Sequence, residues 1–268
     1  MIHIIFGAPG KGKSCKQVHF AKDLYLTRGR ELLRSCMARI DAANAEGYDF
    51  SYPDRAPIFS DFPMRFKIGY EKYFSPYFMN GYYLGLPNDT QEVMYVPPGS
   101  VIFLSEAQRY YYSRKSNSFP DWVSRFYEMH RHFGLELYMD VQRPILIDAN
   151  IRELCEHFVE ITGLEHERNF AGLITSSTWT CREWSNWKDV ERYQSTGEAN
   201  YEETTYTNRG NIFRCYDSFS YFDKFLPESG DIELYDHVPP EIVRSVTDER
   251  LRAFYDLSEP QTYRSKKA

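Results

Sequence analysis

The sequence predicts an α/β fold, a three-layer sandwich with a mostly parallel sheet and a C-terminal β-rich extension. Three observations predict it. The apolar run Ile2-His3-Ile4-Ile5-Phe6 leads straight into Gly7-Ala8-Pro9-Gly10-Lys11-Gly12-Lys13-Ser14, and a stretch free of Gly and Pro follows from Cys15 to Arg28. This is a strand, a G-x-x-x-x-G-K-[ST] phosphate loop and a helix in order, which specifies the P-loop NTPase form of the sandwich. Further apolar runs then alternate with helical stretches as far as Gly163, the pattern of a parallel sheet covered by helices. Beyond Gly163 the texture changes to β-prone runs separated by Asn/Gly turns.

The elements follow from local chemistry. Lys13 to Ala45 is amphipathic and predicts a helix, with a break expected near Gly29. Ala56-Pro57-Ile58-Phe59-Ser60 reads as a short buried strand inside a Pro-punctuated segment. Residues 64–98 are aromatic and rich in Gly and Pro, and no element is assigned there. Val101-Ile102-Phe103-Leu104 is a strand introduced by Pro97-Pro98-Gly99. Pro120 to Phe133 fits a helix with Asp121 in its first turn and Gly134 at its end. Leu135 to Val141 and Phe158 to Ile161 are further strands. In the extension, Leu173 to Thr180, Tyr201 to Thr207 and Ile212 to Tyr216 are β-prone. Asn208-Arg209-Gly210-Asn211 has the composition of a hairpin loop, and Pro240 to Leu257 reads as a helix. The expected organisation is a P-loop core over 1–165 and a β-rich extension over 166–268 with a C-terminal helix packed on the core.

Composition narrows the classes. A length of 268 residues with 42% hydrophobic content supports one large α/β domain and a modest addition. The net charge of −6 argues against a protein that wraps DNA by charge alone. The basic series Lys11, Lys13, Lys16, Lys22, Arg28, Arg30, Arg34 and Arg39 reads as a solvated helix face. Five scattered cysteines with no C-x-x-C pair suggest reduced thiols. Cys15, beside the phosphate loop, reads as a small buried residue. No run of 18 or more apolar residues occurs, so no transmembrane helix is expected.

The phosphate loop assigns jobs to residue types. Gly7, Gly10 and Gly12 permit turns that a Cβ would block. With Ala8, Pro9, Lys11 and Cys15 they form a seat whose amides bind an anion together with the start of the next helix. Lys13 supplies an ammonium for the β- and γ-phosphates of ATP, and Ser14 a hydroxyl for Mg²⁺. The task depends on what faces the γ-phosphate. The strand Val101 to Leu104 ends in Ser105-Glu106-Ala107-Gln108-Arg109, where P-loop ATPases carry an acidic pair. Glu106 is the expected general base for an attacking water. Ser105 stands where an aspartate is usual, so the metal shell rests on Ser14, Ser105 and Glu106 with one acid fewer. Gln142, past the end of Leu135 to Val141, is suited to orient the water or touch the γ-phosphate. Asp140 is expected to face the opposite side of its strand.

Three ordered segments resemble a family: His130-Arg131-His132-Phe133-Gly134-Leu135-Glu136-Leu137, then Val141-Gln142-Arg143-Pro144, then Ile147-Asp148-Ala149-Asn150-Ile151-Arg152-Glu153-Leu154. They look like the zonular occludens toxin-like ATPases, the filamentous-phage assembly proteins in the HerA/FtsK branch of P-loop motors. The segment from Val101 to Arg109 is similar to the acidic motif of that family, and Pro57 to Pro63 to its second strand. The likeness covers roughly residues 1–20, 56–63 and 99–165. It implies a ring-forming, hexameric ATPase that drives phage DNA extrusion or virion assembly with other phage assembly proteins, in the host cytoplasm at the face of the inner membrane. It also implies an arginine that reaches the γ-phosphate of a neighbouring subunit. Arg131, Arg143 and Arg152 lie in matching motifs, and Arg152 is favoured. Members of the family commonly carry a transmembrane helix after the ATPase domain. This chain is therefore read either as a soluble relative or as a piece ending near the basic Arg264 to Lys267. Two rival functions keep the nucleotide: a DNA-packaging ATPase of a tailless phage, and a non-hydrolysing assembly scaffold, for which Ser105 is the sign. A small-molecule kinase would need a lid-like arginine cluster, which the sequence lacks.

Overall fold

The structure is a computed structural model and describes residues 1–48, 50–62, 64–70, 72–78, 96–114, 121–210 and 212–216. In chain order the strands and helices are β1 (Ile2–Phe6), α1 (Lys13–Ala45), β2 (Ile58–Ser60), β3 (Phe66–Gly69), β4 (Lys72–Phe74), β5 (Tyr77–Phe78), β6 (Val101–Leu104), α2 (Asp121–Met129), β7 (Glu136–Val141), α3 (Ala149–Glu153), β8 (His157–Arg168), β9 (Ile174–Trp184), α4 (Trp187–Thr196) and β10 (Glu202–Arg209). The main sheet has the order β10-β9-β8-β1-β7-β6-β2-β5. The six strands from β8 to β5 run parallel, and β9 and β10 continue the same sheet antiparallel. This is the mostly parallel α/β sandwich that the sequence predicts.

The two faces of the sheet follow from the two-residue period of strands. Along β7, Leu137, Met139 and Val141 join Ile2, Ile4 and Phe6 of β1 in one core, with Phe126 and Tyr127 of α2, Ile151 of α3 and Val190 of α4. Tyr138 joins Ile5, Val101 and Phe103 in the other core, against Cys15, Val18 and Ala21 of α1. The first turns of α1 thus lie on one face and the shorter helices on the other. Asp140 continues the Tyr138 side of β7, so it points toward the start of α1. That placement decides the chemistry described below.

Several expectations change on contact with the tertiary structure. α1 runs unbroken through Gly29. A glycine inside a helix costs about 1 kcal/mol relative to alanine, which is small beside the burial of Leu32, Cys36 and Ile40 further along. Gly29 is itself packed, since an added Cβ would lie 3.3 Å from the ring of Tyr25. Ile212–Cys215 is a 3₁₀ helix and not a strand, with one bridge among the described residues, from Tyr216 to Met64. Asn208 to Gly210 is therefore not a hairpin loop. The Asn208 amide donates to the carbonyls of Arg209 and Gly210 and turns the chain into that 3₁₀ helix. The true hairpin tip lies between β8 and β9, where the Asn169 side chain accepts from the amides of Ala171 and Leu173. α4 falls between the β-prone runs Leu173 to Thr180 and Tyr201 to Thr207, where no element is expected; Asn186 caps it by accepting from the amide of Asp189, and Gly197 ends it in a left-handed turn. The boundary drawn at 165 lies within β8, whose pairing with β9 carries the sheet across it. The expected helix from Pro240 to Leu257 lies outside the described residues.

Candidate phosphate-loop site

The phosphate loop connects β1 to α1 at the C-terminal edge of the parallel strands. Gly12 is the residue before the helix, with φ 80°, and no side chain caps the first turn, which also holds no acid. The first amides of a helix have no partner within it, so this end of a 33-residue helix presents donors and a positive dipole to an anion. Two observations favour glycine at position 12, the backbone conformation more than the contact. Its φ is left-handed, and a Cβ would fall 2.5 Å from Cδ2 of Leu164 on β8. Ala8, Pro9, Gly10 and Lys11 form the exposed crest, and Gly7 is buried at its base. Lys13 is only 6% exposed, and its ammonium donates back to the Gly7 carbonyl at 3.2 Å. Lys11 is exposed and reaches the Thr162 carbonyl at 3.4 Å. Cys15 is fully buried, and burial pushes its thiol up to about 12, so it stays a thiol.

Opposite the loop stand the ends of β6 and β7. They pair in parallel with Leu104 beside Met139, and the same offset brings Ser105 beside Asp140. The Asp140 carboxylate sits at the centre. One oxygen, Oδ2, accepts from the Ser14 hydroxyl at 3.1 Å and from the Ser105 hydroxyl at 3.4 Å. The other, Oδ1, accepts from the Glu106 backbone amide at 2.7 Å. One buried side chain therefore ties the phosphate loop to the acidic strand end. Burial raises its carboxyl to about 6, opposed by the Glu106 amide and reinforced by the nearby Glu106 charge.

The expectation that Asp140 faces away is corrected here. Residues two apart share a face of a strand, so Asp140 lies on the Tyr138 side of β7, which faces α1 and the phosphate loop. A lone acid within the apolar run Leu137 to Val141 was the available signal. Two further residues escape the motif reading. Asp61, just past β2, is buried and accepts from the Ser105 amide at 2.8 Å, with Tyr110 also bonding its side chain. Burial holds the Asp61 carboxyl well above the usual range. Gln17, on the second turn of α1, donates to the carbonyls of Leu104 at 2.8 Å and Tyr138 at 3.3 Å. It locks the helix onto the end of β6 and the middle of β7.

Glu106 has φ 50° and ψ 47°, and it is the one non-glycine residue with positive φ among those described. A left-handed backbone costs a residue with a Cβ about 1–2 kcal/mol. Here the Asp140 oxygen on its amide holds the turn, and the Gln108 amide donates to its carboxylate. Strain of this kind concentrates at sites where a side chain must be aimed. Gln142 is exposed just beyond β7.

The arginines separate. Arg143, next to Gln142, is exposed at the phosphate-loop end of the sheet. Arg131 bonds Glu156 at 2.9 Å, next to the start of β1, at the opposite end. Arg152, the favoured arginine, is engaged within its own chain. It donates to the Ile147 carbonyl at 2.9 Å and stacks on Trp187 at 4.5 Å. The basic series on α1 also divides. Most of it is solvated, but Lys13 and Lys16 are buried, and Lys16 holds its ammonium over the rings of Tyr206 at 2.9 Å and Phe20 at 4.2 Å.

The donor set suits a hard divalent cation. Ser14, Ser105, Glu106 and Asp140 offer only oxygens, the preference of Mg²⁺, which takes one or two carboxylates plus substrate phosphates. No group of three or more His, Cys, Asp or Glu that could hold a metal unaided occurs among the described residues. None of the described helices is long and apolar enough to cross a membrane.

Comparison with known proteins adds a family. Residues 88–218 match the family model described as Zonular occludens toxin (Zot), so the likeness drawn from the motifs holds over that stretch. No curated protein matches the chain in sequence. Among solved structures, the N-terminal domain of zonular occludens toxin from Neisseria meningitidis is similar at 19% identity, covering 81% of this chain and 98% of its own, with a TM-score of 0.45. The genome packaging NTPase B204 from Sulfolobus turreted icosahedral virus 2, in complex with ATP-gammaS, is similar at 11% identity, covering 64% of this chain and 78% of its own, with a TM-score of 0.33. Superpositions this partial bear no weight for what this chain does.

Proposed function

We propose that the chain is an oligomeric ATPase of phage assembly that couples ATP hydrolysis to DNA extrusion or virion assembly. One observation carries the enzymatic part: the Asp140 carboxylate joins the phosphate-loop hydroxyl of Ser14 to the strained turn that aims Glu106. In this reading the loop amides and Lys13 hold the triphosphate. Glu106 takes the proton from the attacking water, and Gln142 orients it. Ser14, with the acids facing it, would hold Mg²⁺, which neutralises charge on the phosphates. A neighbouring subunit supplies an arginine, and Arg143 replaces Arg152 as the best placed, since Arg152 is tied down in its own chain. Viral DNA as the load, a hexameric ring, other phage assembly proteins as partners and a place at the cytoplasmic face of the host inner membrane rest on the family resemblance.

The test is phosphate release with purified protein, Mg²⁺ and DNA. Lys13→Ala should abolish nucleotide binding. Wild-type protein that assembles into rings, binds ATP and releases no phosphate would transfer the chain to the scaffold reading, which Ser105 favours. The tailless-phage packaging reading shares the chemistry, and absence of host-membrane association would favour it.

A further inference from the structure

We propose that Asp140 is the metal-shell carboxylate of this site, doing from β7 the work that an aspartate at position 105 on β6 would do. The proposal rests on the ATPase reading above and deepens it. Its basis is register. β6 and β7 pair with a constant offset of 35 from Val101↔Glu136 to Leu104↔Met139. The next step along that offset is Ser105 and Asp140, and laterally paired residues in a sheet put their side chains on the same face about 4.8 Å apart. The 3.4 Å contact between the Ser105 hydroxyl and Asp140 Oδ2 is that juxtaposition. The acid missing from β6 is thus present one strand over, on the side of the phosphate loop, because β7 lies between β6 and β1.

The hydrogen-bond inventory supports a ligand beyond the protein. A carboxylate offers about four acceptor positions. Asp140 is fully buried, yet its donors are one amide at 2.7 Å and two hydroxyls at 3.1 and 3.4 Å. No arginine, lysine or histidine bonds it among the described residues. Burying a carboxylate without a bonded counter-charge is costly; the Lys13 ammonium is near enough to favour the charged form, but it donates to the Gly7 carbonyl and not to Asp140. Both hydroxyls that face Oδ2 keep lone pairs of their own, so the three oxygens form a hard-donor face beside the seat of the phosphates.

The experiment compares wild type, Asp140→Asn, Ser105→Asp and the double variant. Two readouts are taken: affinity for ATPγS with and without Mg²⁺, and direct binding of Mn²⁺ by electron paramagnetic resonance in the presence of ATPγS. Thermal unfolding checks that each variant folds. Asp140→Asn should keep metal-free nucleotide binding and lose tenfold or more of the affinity that metal adds, with a matching loss of bound Mn²⁺. Adding Ser105→Asp to Asp140→Asn should restore most of that loss, because the carboxylate returns on the adjacent strand. Ser105→Asp alone should gain little, since it sets two acids side by side. Metal-dependent affinity and Mn²⁺ binding unchanged in Asp140→Asn would overturn the assignment and leave the ATPase reading standing. Loss in Asp140→Asn without rescue in the double variant would also overturn it, in favour of a purely structural acid. No nucleotide binding by the wild type under either condition would overturn both. If Asp140→Asn does not fold, Asp140→Ser with Ser105→Asp decides the matter: folded protein with wild-type metal dependence supports the assignment, and folded protein without it refutes it.

Discussion

The two ends of β7 each carry one carboxylate on the same face, and they are treated in opposite ways. At the start of the strand Glu136 accepts from the Tyr138 hydroxyl at 2.6 Å and lies 3.5 Å from His3 and 3.9 Å from Arg28. Burial pushes its carboxyl up, but His3, Tyr138 and Arg28 outweigh that and hold it at about 2. At the end of the strand Asp140 meets an amide and two hydroxyls, and burial wins, with its carboxyl at about 6. The lesson is that burial alone does not mark a working acid. Glu136 is matched by the Arg28 guanidinium, the His3 ring and the Tyr138 hydroxyl, and belongs to the scaffold. Asp140 has donors and no bonded cation, which is the condition in which a carboxylate can take a ligand.

The sharpest way to break this contrast is to remove charge near each end and read turnover. Glu106→Gln, at the Asp140 end, should lower phosphate release by about 10²–10⁴-fold with ATP binding retained, measured by steady-state assay and by titration. Glu136→Gln should leave turnover per folded molecule within about twofold of wild type, because its partners are scaffold residues. Comparable losses in the two variants would erase the distinction between the two ends.

A third buried charge sharpens the comparison from the other side. Lys16 has no hydrogen-bond acceptor among the described residues, and burial lowers its ammonium to about 7 from an ordinary 10.5. The unfolded chain therefore holds this proton more tightly than the folded one. Its contribution makes stability rise as pH climbs from about 7 toward 10.5, and the cost is fullest below 7. Lys16→Met should raise the unfolding midpoint at neutral pH and flatten that slope, with turnover unchanged. Denaturant titrations across this range would show it, and a wild-type slope kept by the variant would remove Lys16 as its source.

The smallest effect belongs to Glu136 itself. Its folded value lies below the ordinary 4.5, so its stabilisation is present above that pH and lost as pH falls toward about 2. Glu136→Gln should cost about 1–3 kcal/mol at neutral pH and make acid unfolding less steep between those limits. Acid unfolding curves of equal steepness would show that Glu136 contributes nothing there.

Much of this molecule is legible along the chain. The phosphate loop reads directly because each of its residue types is demanded by local geometry: Gly12 by a left-handed φ, Lys13 and Ser14 by spacing. β1, β6 and β7 read from short apolar runs, and Glu106 from its place just after one of them. The extension reads less well. Asn186, placed to cap α4, lies in the gap between two β-prone runs, and Ile212 to Tyr216 has strand composition but, among the described residues, pairs only through one bridge.

What the sequence by itself determined is the nucleotide seat and the strands that frame it, because these rest on contacts between residues close in the chain. What only the tertiary structure decided is which acid faces that seat. Ser14, Asp61, Ser105 and Asp140 come from four separate segments, and sheet order together with parallel register brings them within hydrogen-bond reach. Lateral pairing between strands has no period along the chain, so one sequence cannot reveal that an acid missing from β6 stands beside its place on β7.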